Sequence, residues 1–358
     1  MLTRNIFLAC ILAVALPALA GPRYTVTALP SGTNPTGINS AGQIVGDLVT
    51  DEGRRGFVWS QAGLVELGTL GGWDSTALAI NSSGLVTGYA SVANGDTQAF
   101  TYAGGALTEL HVLNSSNSFG IAINDNGQVA GQYIDTAQTY RAFIHSNGVA
   151  TDLGTLGGNF AYAAGINQLG HVVGGSALDD ETPYLSHAFL YRDGVMTDLG
   201  TLGGSYSVAT AINDLGQVTG NAWVDGSEHA FLYSDGVMVD LGTLGGRYSF
   251  ANGINERGQV VGYSNDPDDF DFLAFLYDAG VMTDLNTLID PALGWKLYAA
   301  TAINDKQQIA AFGCRGDDCG GVLLELASPV PEPTTLGMMA AGLGLLGLRR
   351  FSASCRRG

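Results

Sequence analysis

Apolar positions along this chain come in short bursts, and each burst is closed within a few residues by Gly, Asn or Asp. Residues 187–220 read HAFLYRDGVMTDLGTLGGSYSVATAINDLGQVTG, and residues 229–262 repeat them nearly unchanged as HAFLYSDGVMVDLGTLGGRYSFANGINERGQVVG. Looser copies flank these two. An Ile-Asn pair marks the register at Asn39, Asn81, Asn124, Asn167, Asn213, Asn255 and Asn304, at intervals of 42, 43, 43, 46, 42 and 49 residues. Every copy holds four apolar runs separated by turn residues. They are Ala-x-x-Ile-Asn, Gly-Gln-Val-x-Gly, His-Ala-Phe-Leu-Tyr and Val-Met-x-Asp-Leu-Gly-Thr-Leu. No window sustains a 3.6-residue period and the runs are too short for helices, so each reads as a strand. Turns such as Asp193-Gly194 supply the positive φ that tight hairpins require. Four antiparallel strands every 40–50 residues is the arithmetic of a β-propeller blade.

The two ends of the repeat array fix the blade count. Residues 24–29 (YTVTAL) look like a lone copy of the fourth strand, compare residues 195–202, while the seventh unit stops after its third strand near residues 322–326. A surplus strand at one end matching a missing strand at the other predicts ring closure, with no edge left open. The expectation is an all-β, seven-bladed propeller of four-stranded antiparallel blades over residues 21–327, closed by its N-terminal strand. Strand one is rich in small residues (Ala209, Thr210, Ala211; Ala251, Asn252, Gly253), which suits a crowded axis. Strand three is apolar on both faces (Ala188 and Leu190 against Phe189 and Tyr191), which suits a strand between neighbouring blades.

Residues 1–20 read as a secretion signal: basic Arg4, an apolar core at residues 6–16 and a small-residue cleavage site at Ala18-Leu19-Ala20. Cys10 lies inside that core. The 33 acidic residues all fall between residues 21 and 333, with only 10 of the 15 basic ones, so the body carries a formal charge of −23. Such a surface excludes nucleic acid and anionic lipid and favours solubility or cation association. In a secreted chain, Cys314 and Cys319 are expected to form a disulfide across the last 2–3 loop. The Arg315-Gly316-Asp317 they enclose is a tripeptide that arises easily by chance.

Chemistry is expected where the blades depart from their repeat. Alternation puts the 1–2 and 3–4 turns on one face of the disc and the 2–3 loops and 4–1 connections on the other. The 2–3 loops hold much of the charge: Asp179, Asp180 and Glu181; Asp225 and Glu228; Asp266, Asp268, Asp269 and Asp271; Asp317 and Asp318. The 4–1 connections hold aromatics: Trp73, Phe160, Tyr162, Tyr206, Tyr248, Trp295 and Tyr298. Variable loops on a rigid scaffold are the usual seat of binding. Planar rings amid carboxylates suit sugars, so Trp73, Tyr206, Tyr248, Trp295 and Tyr298 are the candidate ligand-binding residues; the alternative is that such rings wedge between blades. The loop at residues 266–271 offers oxygen ligands for calcium, or stands simply as a solvated acidic loop. His187 and His229 recur in register and read as structural, since a catalytic residue is needed once. No nucleophile elbow, zinc-ligand spacing or acid–base pair is evident, and no catalytic residue or metal ligand is assigned.

Residues 328–358 form a separate tail. Pro331-Glu332-Pro333 precedes an uncharged stretch at residues 334–348, which as a helix reaches about 22 Å against a hydrocarbon core of roughly 30 Å. Arg349, Arg350, Arg356 and Arg357 follow, as in a membrane stop with a basic cytoplasmic end. This ending resembles the PEP-CTERM sorting signal of Gram-negative bacteria. The resemblance implies recognition by an exosortase, transient anchorage by the apolar helix, and passage from the inner membrane to the surface or exopolysaccharide matrix. The repeats resemble the HAF family of extracellular repeats, on the triplets His187-Ala188-Phe189 and His229-Ala230-Phe231; other blades lack the His, and blade 7 lacks the triplet. The function expected is a non-enzymatic surface or matrix propeller that binds exopolysaccharide or a surface partner. A glycan-active hydrolase or lyase using loop-face carboxylates, and a structural spacer without a ligand, are the alternatives.

Overall fold

A computed structural model describes residues 23–180, 185–268 and 271–327. The signal segment and the sorting tail lie outside the described residues. The rest forms seven four-stranded antiparallel sheets. Blade 4 is representative, with strands Ala161–Ile166, Val172–Ala177, Ser186–Arg192 and Val195–Asp198 in spatial order. In blades 2 to 6 the hairpins between strands three and four turn on consecutive positive-φ residues, Asp193 (52°) and Gly194 (82°) in blade 4. That geometry matches the right-handed twist of the strands it joins.

Blade 7 is built from both ends of the array. Strands Lys296–Ile303, Ile309–Arg315 and Asp318–Leu326 are completed by Tyr24–Ser31, with Tyr24 opposite Leu326 and Ala28 opposite Val322. The N-terminal strand therefore closes the ring, as the offset of the repeat requires.

Small residues bring the blades together at the axis. Each first strand carries a bulge near its end, and the residue after it is Gly37, Ala79, Ala122, Gly165, Ala211, Gly253 or Ala302. These seven line a central channel of about 480 Å³. A Cβ on Gly165 would stand 3.1 Å from the Ala211 backbone, so the first strands are nearly in contact.

The second strand answers the bulge with glycine. At Gly46, Gly88, Gly131, Gly174, Gly220 and Gly262 an added Cβ would come within 1.9–2.0 Å of a carbonyl oxygen on the bulged strand. Opposite each of them in strand three stands a fully buried Phe: Phe57, Phe100, Phe143, Phe189, Phe231 or Phe275. Blade 7, whose first strand carries a second register shift, instead pairs Ala311 with Val322. Bulk removed from one strand is returned on its neighbour.

The apolar clusters lie between blades. One joins Val173, Ala188 and Leu199 of blade 4 to Ala209, Ile212, Val218 and Phe231 of blade 5. Polar contacts tie the same seams. The buried Asn of every Ile-Asn pair donates from Nδ2 to the backbone carbonyl of its counterpart in the next blade, at 2.8–3.2 Å, and Asn304 returns the chain of bonds to Asn39. This is a closed ring of seven asparagines. A second tier is formed where Ser75, Ser118, Ser207 and Ser249 accept from the third strand of the preceding blade, with Thr33 doing so across the closure.

One element differs from expectation. The run Val-Met-x-Asp-Leu-Gly-Thr-Leu is a strand only through its Asp. In blade 4 the Asp198 carboxylate accepts from the Gly200 amide at 2.7 Å, Gly200 takes φ 77°, and Leu199 turns inward to burial. In blades 1 to 6 the outer strands are thus four residues long, which keeps each exposed edge short. In blade 6, where Asn286 replaces that glycine, the chain instead forms a 3₁₀ turn, Leu285–Leu288, followed by a second at Pro291–Leu293.

Candidate functional site

The face carrying the 2–3 loops and 4–1 connections holds a cavity of about 490 Å³ between blades 4 and 5. Phe160 and Tyr162 enter it from the start of blade 4, and Tyr206 from the start of blade 5. Trp223 and Glu228 lie on strands two and three of blade 5 as direct cross-strand partners, which puts indole and carboxylate on one side of the sheet. Ser186 opens strand three of blade 4.

Local packing explains why the rings stand there. The Gly204 position has no room for a Cβ, which would meet the Trp223 carbonyl at 2.4 Å, and Trp223 in turn donates its amide to the Tyr206 carbonyl at 2.9 Å. Across the seam, an added Cβ at Gly175 would strike the Tyr162 ring at 2.8 Å. Burial pushes the Tyr162 and Tyr206 phenols above their ordinary range.

Two polar groups in the cavity stand out. The Ser186 hydroxyl is buried in a residue only 3% exposed and has no hydrogen-bond partner among the described residues, an arrangement that ordinarily costs stability. Burial raises the pKa of Glu228 and of Tyr263, and the Glu228 charge pushes Tyr162, Tyr206 and Tyr263 further in the same direction. An aromatic run continues onto blade 6: Phe250 stacks with Tyr263 at 4.9 Å and with Tyr248 at 6.5 Å, and Phe272 meets Tyr263 edge-on at 5.2 Å.

Of the five aromatics singled out by sequence, Tyr206 lines this cavity. Tyr248 lies on the blade 6 run with the Arg247 guanidinium over its ring. Trp295 is partly buried against the core of blades 6 and 7 and covered by Arg315, which is the wedge arrangement; Tyr298 is covered by Lys296. Trp73 is 78% exposed on blade 2, away from the others. Sequence reasoning passed over Trp223 and Ser186 as site residues and left Glu228 among the loop charges. The same place in blades 1 to 4 and blade 6 holds Val49, Ser91, Ile134, Ala177 and Asn265, so the indole of Trp223 breaks the pattern, and that break was the available signal.

The recurring histidines pair within their blades. His187 Nδ1 lies 2.8 Å from Asp198 and His229 Nδ1 lies 2.9 Å from Asp240, and in blade 3 Arg141 takes the same place against Asp152. Cys314 and Cys319 are disulfide-bonded across neighbouring strands of blade 7. Among the described residues no group of three or more His, Cys, Asp or Glu is placed to hold a metal ion; Asp269 of the acidic loop lies outside them.

Residues 329–357 match the PEP-CTERM protein-sorting motif. No curated protein matches the chain. Among solved structures it is similar to a puromycin-hydrolysing peptidase of Mycobacterium tuberculosis (13% identity, TM-score 0.53), covering 88% of this chain and 58% of that one. It is also similar to YCF48 bound to D1 peptide (12%, 0.49; 88% and 100%) and to an acylaminoacyl peptidase of Pyrococcus horikoshii (15%, 0.48; 79% and 50%). The chain spans about half the length of either peptidase, and at 13% identity the likeness to the first is one of fold alone. Among the described residues no helix is long and apolar enough to cross a membrane, and the apolar stretch at residues 334–348 lies outside them. The chain is a seven-bladed β-propeller with a PEP-CTERM motif, the recognition signal of exosortase, which implies export and sorting to the surface.

Proposed function

We propose that this protein is a non-enzymatic surface or matrix propeller, built of HAF-type repeats, that binds exopolysaccharide through the cavity between blades 4 and 5. One observation carries the reading: a concave, ring-walled space of about 490 Å³ that keeps a carboxylate and an unpartnered buried hydroxyl on the loop face. Its size falls within the usual range of small-ligand pockets. Tyr206 and Trp223 offer faces for the C–H side of a pyranose, and Ser186 and Glu228 offer partners for its hydroxyls. Binding without cleavage is the simpler reading, because Glu228 is the single carboxylate among the described residues lining the cavity, whereas glycoside hydrolysis usually uses two. Export by way of the sorting tail would bring this face to the matrix.

Affinity electrophoresis tests the reading. The full chain, run in gels containing the producing organism's own soluble exopolysaccharide, should be retarded in proportion to polysaccharide concentration. The Tyr206→Ala/Trp223→Ala variant should run as in a blank gel. Unaltered mobility of the parent protein would overturn the proposal, as would release of reducing ends from the polysaccharide.

A further inference from the structure

We propose that the ligand unit seated between blades 4 and 5 is an amino sugar with a free, protonated amine, held by Glu228 as its counter-ion. The inference rests on the polysaccharide-binding reading and narrows its ligand class.

The argument starts from how this chain treats its other charges. Several of its other carboxylates have basic partners: Asp47 has Arg54, Asp152 has Arg141, Asp198 has His187 and Asp240 has His229, while Glu256, which burial also affects, takes the Asp214 amide at 2.8 Å instead. Glu228 pairs with no Lys, Arg or His among the described residues, although it is drawn far enough from water for burial to raise its pKa. A desolvated carboxylate without a cation is a costly arrangement, and a bound cation relieves it.

The rings give a second, independent contrast. On the same face, Tyr248, Trp295 and Tyr298 each carry a cationic side chain of this protein over the ring, at 5.7, 5.4 and 5.5 Å. Tyr162, Tyr206 and Trp223 surround the partnerless carboxylate, and among the described residues no Lys or Arg stands over them. Elsewhere the fold fills its aromatic–cation sites from within; here both the ring faces and the carboxylate are open to a cation from outside. An ammonium group set against rings and carboxylate together satisfies both. The pyranose that bears it supplies C–H faces for the remaining aromatic surface and a hydroxyl for Ser186, a partner an isolated ammonium ion would lack. A body charge of −23 draws such polycations in.

Calorimetric titration of the full chain with glucosamine oligomers bearing free amines, and with N-acetylated oligomers of the same length, tests the assignment. Measured where the amine is protonated and Glu228 ionised, the free-amine series should bind at least about tenfold tighter, an advantage that shrinks with added salt. Glu228→Gln should erase the difference by weakening free-amine binding much more than N-acetylated binding, and Glu228→Asp should retain part of it. Each variant is compared at a matched thermal melt. Equal binding of the two series, or a preference that survives Glu228→Gln, would overturn the amine assignment alone. Failure of both series while the native exopolysaccharide still binds would do the same, and failure of all three glycans would overturn the polysaccharide reading as well.

Discussion

The asparagine of the Ile-Asn pair shows how one side chain can serve every seam of a ring. Asn213 donates to the Asn255 carbonyl at 3.0 Å and to Gln217 at 2.8 Å, and accepts the Gln217 amide at 2.9 Å, all in a residue 3% exposed. Removing it leaves buried groups without partners, each costing about 1–3 kcal/mol. Asn213→Ala should therefore destabilise the protein by about 2–4 kcal/mol in a urea melt, and Asn213→Asp, which cannot donate, should not rescue it. Gly220→Ala should be equally poorly tolerated, since its Cβ meets the Val208 carbonyl at 2.0 Å and overpacking a core typically costs about 1–3 kcal/mol. Glu228→Gln should move the other way. Burial raises the Glu228 pKa in the fold, so the ionised form is disfavoured relative to the unfolded chain. That penalty is full above the folded pKa and vanishes below the unfolded one. At neutral pH the variant should melt at or above the parent's temperature, while at pH 4 the two should converge. A lower melt at neutral pH would mean that Glu228 has a stabilising partner.

Blades, strands and their order were legible because strand periodicity and turn chemistry repeat seven times. Closure was legible because the surplus strand at residues 24–29 and the missing strand after residue 326 complement each other. Deleting residues 21–31 should strip Leu324 and Val322 of their neighbour and lower the melting temperature sharply; an unchanged melt would contradict the shared blade. Other features were hidden for physical reasons. The role of the Ile-Asn residue as interblade donor depends on a partner some 42–49 residues away in the chain, which periodicity marks but does not explain. The shortness of strand four follows from an Asp carboxylate capping a glycine amide, a local bond that competes with the ladder. The cavity escaped notice because Phe160 and Tyr162 come from blade 4 and Tyr206 and Trp223 from blade 5, and they meet only across a seam. The Cys314–Cys319 bridge closes a short hairpin, so chain entropy gives it at most about 2 kcal/mol. Reductant should shift the melt by only a few degrees.

At the scale of the whole molecule the disc has unlike faces. The one bearing the 2–3 loops and 4–1 connections concentrates aromatic rings, the cavity and the partnerless carboxylate, whereas the opposite face carries the tight turns. The tail decides where this disc is delivered. Glu332→Ala within Pro331-Glu332-Pro333 should leave the chain in the inner-membrane fraction, and normal release would argue against the matched motif acting as a sorting signal. The most direct test of the account is hydrogen exchange on the full chain, read by mass spectrometry with and without the organism's exopolysaccharide. Amides at residues 158–162, 185–188, 204–206 and 221–229 should gain protection together, with little change at the 3–4 turns around Asp193 and Asp235. Protection centred on those turns, or none on the seam between blades 4 and 5, would contradict it.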